Sequence, residues 1–452
     1  MRALISVTDK EGIENLAKGL SDLGVEIVST GGTYKKINDA GVKAIEIDEI
    51  TNFPEILEGR VKTLSPYVHG GILYKRDEQI HVDTIKEHDI KAIDIVVVNL
   101  YEFQKALEKG NPDDIIENID IGGPSMVRSA AKNHKDVLIV TDPADYDELL
   151  ERIKNDDIDL TYRQKLAMKA YTLTAFYDSV IARYFSELTG KEAKYKTYGF
   201  EKESNLRYGE NPGQEAALFN DPFVKGLMDK MEVIHGKEMS YNNYNDLNPA
   251  LELAQELGKN AVVALKHQSP CGVALKDSVY ESYIKAYECD SQSIFGGIVA
   301  VNGIVDENTA KKMNEIFLEI IAARDFSKEA LEVLTQKKNV RLVKINFENE
   351  TVKEEIRYLN GKVLTQGKDF GEDQVEVVTD KKPSEAEIKD LLFAQKVVKY
   401  VKSNAIVVAK DMQTLGCGAG QQSRVWALES IKDHFKERDF TDAVLGSDVF
   451  LS

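Results

Sequence analysis

Residues Asn260-Ala261-Val262-Val263-Ala264-Leu265-Lys266-His267-Gln268-Ser269-Pro270-Cys271-Gly272 run from an apolar stretch into a lysine, an imidazole and a Pro-Cys-Gly triplet. An amphipathic helix over 248–258 precedes the stretch, which therefore reads as a buried strand, with Pro-Cys-Gly as the turn after it. The pattern returns 144 residues later. A helix over 389–402 leads into Asn404-Ala405-Ile406-Val407-Val408-Ala409-Lys410, followed by Cys417-Gly418. Two such copies imply a tandem α/β duplication, since a solenoid needs at least three short repeats. Chance likeness between buried strands is the plain alternative. The chemistry gathers in the first copy, because imidazole is the side chain that titrates near neutrality and crevices at strand ends collect ligands. Taken alone, Lys266-His267 could equally be a satisfied pair closing a strand.

Composition narrows the class. The chain has 452 residues, 42% hydrophobic and 30% charged, with a net charge of −18. That length predicts two to four domains, and the charge argues against a nucleic-acid partner. No apolar run approaches the roughly 18 residues of a membrane span, and a cytoplasmic setting is expected. Cys271, Cys289 and Cys417 form neither a disulfide framework nor a CxxC pair, so no metal is expected.

The first half alternates strand and helix. Leu4–Val7 reads as a strand, Asp9 as the N-cap of a helix stopped by Gly24, and Val25–Val28 as the next strand. A second helix follows Ser29-Thr30-Gly31-Gly32-Thr33, then strands are expected at Val42–Ile47 and, longest of all, at Ile93–Val98. This βαβαβ order predicts a parallel sheet with ligands at its carboxyl edge. Thr8-Asp9-Lys10 and Thr30-Gly31-Gly32-Thr33 place hydroxyls and free N–H groups at helix starts, where anions bind, although a plain cap explains each loop as simply. Neither has the Walker or GxGxxG pattern, so no nucleoside triphosphate or dinucleotide is indicated.

Arg60-Val61-Lys62-Thr63 sets two cations on one side of an extended segment, suited to clamping a phosphate or to standing in solvent. Asp120-Ile121-Gly122-Gly123-Pro124 opens a helix that carries Arg128 and Lys132 one turn apart. A helix over 161–188 closes this half and Lys191–Lys196 reads as the linker. Beyond it, Arg207-Tyr208, the loop Ser293–Gly297 and Gly416–Arg424 add further polar and glycine-lined loops. The absence of HxE and of Pro-Cys-x-x-Cys removes a zinc deaminase.

Taken together, SVTDK, STGGT, GRVKTL, NLYEF, DIGGP through AAKNH, LRYGENP, LKHQSPCG, SIFGG, SNA and GAGQQSR resemble the AICAR transformylase/IMP cyclohydrolase family. They run in the family's order from Ser6 to Arg424. The resemblance implies an α/β fold with a methylglyoxal-synthase-like domain over 1–193. A cytidine-deaminase-like duplication would fill 194–452, in copies of about 200–375 and 376–452, the second shortened. The first domain would close formyl-AICAR to IMP. The second would move a formyl group from 10-formyltetrahydrofolate to AICAR, at the interface of a homodimer.

By the same resemblance Lys132 is the cyclohydrolase acid/base, with Tyr101, Asp120 and Lys62 as its partners. Thr8, Asp9, Lys10, Thr30, Gly31, Gly32, Thr33, Arg60, Val61, Thr63, Asn99, Ile121 and Gly122 would hold the ribonucleotide. His267 would be the transformylase base and Lys266 its electrophilic partner. Arg207, Tyr208, Gly296, Glu319, Asn404, Arg424 and Phe450 would contact substrates. The family usually continues past the position of Ser452 through a folate-site segment rich in Gly and Arg, so weak folate affinity beside normal AICAR binding is expected. A cyclohydrolase alone, a nucleotide-binding regulatory module and a methylglyoxal synthase are the competing readings.

Overall fold

The computed structural model describes residues 1–101, 103–191, 193–349, 352–369 and 375–448. The chain divides into two compact units, 1–201 and 202–452. No helix among the described residues is long and apolar enough to cross a membrane.

The first unit holds a five-stranded, fully parallel sheet in the order β3-β2-β1-β4-β5. β1 is Arg2–Ser6, α1 Ile13–Asp22, β2 Glu26–Ser29, α2 Gly31–Asp39, β3 Ile45–Glu46 and β4 Ile95–Val98. After these come α3 (Gly122–Lys132), β5 (Leu138–Val140) and α4 (Leu160–Thr189). Ile95, Val96, Val97 and Val98 are all buried, as β-branched residues are in a parallel sheet covered on both faces.

Several expected boundaries move. Asp9 does not cap α1, whose N-cap is Gly12. Asn99 instead takes Asp9 N–H at 3.2 Å and donates to its carbonyl at 2.8 Å, which ties this loop to β4 and delays the helix. β3 keeps only two residues of the expected strand, because Ile47 opens a short helix capped by Glu46 and Glu49. β4 starts two residues late, since Asp94 turns its carboxylate to Arg2 N–H and Arg76; it is not the longest strand.

The second unit opens with a two-stranded ribbon, β6 (Glu201–Leu206) and β7 (Ala216–Asn220), then β8 (Glu232–His235) and α5 (Tyr241–Leu257). Next come β9 (Ala261–Lys266), β10 (Ser269–Leu275), α6 (Val279–Cys289), β11 (Ile298–Val305), β12 (Ile320–Phe326) and β13 (Arg341–Lys344). A hairpin, β14 (Glu354–Leu359) with β15 (Lys362–Gly367), is followed by α7 (Glu385–Lys399), β16 (Ile406–Lys410), β17 (Gln413–Gly418), α8 (Arg424–His434) and β18 (Val444–Ser447). One nine-stranded mixed sheet takes the order β18-β16-β17-β10-β9-β11-β12-β13-β8. Both copies of the repeat thus share a single sheet, meeting where β10 runs antiparallel to β17.

The repeat is closer than the sequence suggested in its strands and looser in its cysteines. β9–β10 skips a partner at Cys271, and β16–β17 skips one at Leu415, at the same 144-residue offset. Leu415, not Cys417, is therefore the counterpart of Cys271. Pro-Cys-Gly is not a turn: it lies inside β10, and the chain reverses earlier, at His267-Gln268. Gly272 brings β10 hard against α6, where a Cβ would stand 2.0 Å from the Ala286 carbonyl oxygen. α5 begins seven residues before the expected Asn248, from a Ser240/Asn243 capping box, and carries Pro249 in its interior. Burial of Leu247, Ala250, Leu251 and Leu253 offsets the hydrogen bond that proline removes.

Candidate active sites

In the first unit the parallel strands all deliver their loops to one edge. After β1, the Ser6 hydroxyl meets that of Thr30 at 2.9 Å, and the Thr33 hydroxyl accepts from Val7 N–H and donates to Val7 O. Asn99, after β4, accepts from Thr8 N–H at 2.6 Å. These bonds lock three of the predicted loops together. α2 begins at Gly31, so Gly31, Gly32 and Thr33 form its first turn; Thr33 N–H donates to Thr30 O at 3.1 Å, while among the described residues the N–H groups of Gly31 and Gly32 are left for an anion. Lys10 and Lys62 bring ammonium groups to the same turn. A Cβ on Gly31 would lie 3.3 Å from Lys62 Nζ, and one on Gly32 would lie 3.8 Å from Lys10 Nζ.

Beside this cradle stands a cluster of titratable groups. Asp120 accepts from Gly123 N–H at 2.9 Å at the start of α3, and the Tyr177 hydroxyl receives its backbone N–H at 2.8 Å. Burial pushes the Asp120 carboxyl above its ordinary value, and the N–H groups of Gly123 and Gly122 draw it partly back. Burial also raises the Tyr101 phenol, helped by Asp120 and opposed by Lys62. Thr63 lies against Gly122, where a Cβ would approach its hydroxyl to 2.7 Å. Ile121 is the N-cap residue of α3.

Arg60 and Lys62 do not act as one clamp. Arg60 pairs with Glu117 in solvent, whereas Lys62 pairs with Glu55, and Val61 bridges to Ile56. Lys132 is exposed at the carboxyl end of α3, and among the described residues no hydrogen bond or ion pair joins it to the other candidates.

In the second unit, strand register does the gathering. β9 and β10 turn at His267, and β11 pairs Ile298 with Leu265, which sets Gly296 beside that turn. β12 pairs Ile320 with Ile298, and Glu319 precedes it, donating its N–H to Gly297 O at 2.9 Å. β17 runs antiparallel to β10, so Gly418 and the loop to Arg424 reach the same end. Asn404 joins them because Ile406 pairs with Gly418. Lys266, His267, Gly296, Glu319, Asn404 and Arg424 thus share one end of the sheet.

The contacts there are specific. Lys266 Nζ donates to Phe295 O at 2.8 Å, and the Phe295 ring is 56% exposed beside it. Asn404 Nδ2 donates to Gln421 O at 2.9 Å. Arg341 binds Glu319 at 2.8 Å. Arg207 stacks on Tyr208 at the end of β6, and Asn242 of α5 holds the adjoining loop through Glu210 O at 3.2 Å. Phe450 lies outside the described residues.

Three carboxylates that sequence reading passed over organise these sites. Asp246 accepts from His267 N–H and Gln268 N–H at 3.3 and 3.0 Å. Asp448 accepts from the Ser403 hydroxyl and from Ala405 N–H, and pairs with Arg424 at 3.6 Å. Glu55 holds Lys62. Asp246 had a signal: Asp246-Leu247 and Asp390-Leu391 stand at the repeat's own offset. A cavity of about 620 Å³ opens at the opposite end of the sheet, by Lys276, Asp411 and Met412, and no candidate lines it. Among the described residues no three His, Cys, Asp or Glu side chains gather to hold a metal ion.

Two family models match consecutive stretches of the chain. Residues 12–125 match the MGS-like domain, and residues 130–432 match the AICARFT/IMPCHase bienzyme. The chain is 50% identical to the bifunctional purine biosynthesis protein PurH of Clostridioides difficile (strain 630), covering 99% of this chain and 89% of that protein. It is 49% identical to the protein of the same name from Fusobacterium nucleatum and 48% identical to that from Oceanobacillus iheyensis, with the same coverages.

Proposed function

The chain belongs to the AICARFT/IMPCHase bienzyme family, and from that premise we propose how its residues divide the work. It catalyses the last two steps of IMP synthesis: formyl transfer to the 5-amino group of AICAR, then dehydrative closure of formyl-AICAR to IMP. Residues 1–193 carry the closure and 194–452 the transfer. The observation that bears most weight is the single sheet end shared by Lys266, His267, Gly296, Glu319, Asn404 and Arg424.

At that end His267 takes a proton from the AICAR amine, which is a poor nucleophile because it is conjugated to the carboxamide. Lys266 faces the formyl oxygen or the departing nitrogen, where an ammonium stabilises developing negative charge and can return a proton. Arg207, Asn404 and Arg424 hold the ribonucleotide. 10-Formyltetrahydrofolate supplies the activated formyl group, and the exposed Phe295 ring beside Lys266 suits its flat heterocycle.

In the first unit the nucleophilic carboxamide and the formyl carbon belong to one molecule, so orientation contributes much of the rate. The α2 start, with Lys10 and Lys62, binds the phosphate. The carboxamide nitrogen adds to the formyl carbon and passes one proton to Asp120 while Tyr101 protonates the formyl oxygen; Lys132 then protonates the resulting hydroxyl as the formamide N–H proton is lost, so that the oxygen leaves as water. A homodimer in the cytoplasm, acting on small molecules without nucleic acid, completes the proposal. Two assays test it: AICAR with 10-formyltetrahydrofolate, and formyl-AICAR alone, each followed for IMP. His267→Ala should slow the first about 10²–10⁴-fold and spare the second; an undiminished first rate would overturn the assignment of the base.

A further inference from the structure

Two turns in the second unit are built alike, and only one presents a histidine. Between β9 and β10, His267 and Gln268 adopt φ of 52° and 61°; between β16 and β17, Asp411 and Met412 adopt 52° and 54°. All four lie in the left-handed region that glycine enters freely and other residues resist. Such two-residue turns suit the twist of a hairpin, but they normally carry Asn or Gly. Here a carboxylate from the preceding helix does the holding. Asp246 of α5 accepts both N–H groups of the first turn, at 3.3 and 3.0 Å. Asp390 of α7 accepts both of the second, at 2.8 and 2.7 Å. Each member of one set lies 144 residues from its counterpart.

We infer that Asp246 is a positioning residue for formyl transfer. By holding His267 in a conformation the residue would otherwise leave, it fixes where the imidazole stands relative to Lys266, which is pinned separately through Phe295 O. The second turn lies at the other end of the sheet and offers no imidazole. Asp390 therefore performs the structural part of the task alone. Asp246 is half-buried, and burial raises its carboxyl above the ordinary value, although the two N–H groups and His267 draw it partly back. The inference rests on the reading of His267 as the base.

The repeat supplies its own control. Transformylase kcat, KM for AICAR and the thermal midpoint would be measured on full-length wild type, Asp246→Asn, Asp390→Asn and His267→Ala. Asp246→Asn should lower kcat by about 10–100-fold with KM for AICAR changed less than about twofold, while Asp390→Asn leaves both unchanged. Equal kcat for the two Asp→Asn variants would reduce Asp246 to a structural residue and overturn the inference. Full turnover by His267→Ala would instead remove the reading beneath it. If Asp246→Asn folds poorly, the comparison moves to a Gln268→Gly background, where glycine sustains the turn without the carboxylate. There the kcat loss should shrink, and a loss of unchanged size would also overturn the positioning role.

Discussion

Lys132 and Lys266 carry the same group and are held in opposite ways. Lys266 is anchored at 2.8 Å to a backbone carbonyl at a crowded sheet end, whereas Lys132 stands exposed at the end of a helix. Their proposed reactions belong to separate units, so their losses should separate. Lys266→Ala should cut formyl transfer by about 10²–10³-fold, the scale of losing one preorganised oxyanion donor, and leave ring closure intact. Lys132→Ala should do the reverse, and equal loss of both activities in either folded variant would count against the division. Residues of this kind were legible in sequence because lysine and histidine after an apolar run are uncommon and chemically pointed. Glu55 and Asp448 were not, because an isolated carboxylate on a polar segment reads as solvated surface until the backbone shows which N–H or cation it meets, and Asp246 was marked only by its repeat-offset match to Asp390.

Elements were legible where burial set the pattern and illegible where side-chain hydrogen bonds set the ends. The runs 261–265 and 406–409 became strands as expected, since nothing but burial competes for them. Asp9, Ile47, the helix start expected at Asn248 and the Pro-Cys-Gly triplet misled because Asn99, the Glu46/Glu49 and Ser240/Asn243 capping boxes and Asp246 each outweighed a local preference. Asp448 shows the same kind of control at the end of β18, where it joins the Ser403–Ala405 loop to Arg424. Burial works to raise its carboxyl, yet the Ser403 hydroxyl, the Ala405 N–H and Arg424 outweigh burial and hold it below the usual carboxylate range. A depressed folded value means that its stabilisation is complete above the unfolded pKa of about 4 and fades as pH falls through the folded value. Asp448→Asn should therefore melt below wild type at pH 7, with the gap closing as the pH drops below about 4. A gap that persists undiminished in acid would show that the carboxylate charge is not what joins the loop to α8.

Over the whole molecule, two reactions meet two sheets. The five-stranded sheet has its own core and its own proposed ligand edge, and each bond described for the cyclohydrolase candidates is made within residues 1–201. The expected linker at 191–196 falls just ahead of the point where the compact units divide, at 201/202. If the first unit needs nothing from the second for its chemistry, residues 1–201 expressed alone should fold and convert formyl-AICAR to IMP at a rate within about tenfold of the full chain. They should fail to produce IMP from AICAR and 10-formyltetrahydrofolate, because His267 and Lys266 are absent. The measurement is the two-substrate assay on the purified fragment, with circular dichroism to confirm that it has folded. A folded fragment that cannot close formyl-AICAR would place part of the cyclohydrolase machinery beyond residue 201, and the proposed division of labour would fall. Lys132 sharpens this test. It lies within the fragment yet, among the described residues, no hydrogen bond or ion pair joins it to the other candidates, so closure by 1–201 that Lys132→Ala abolishes would place its role inside the first unit.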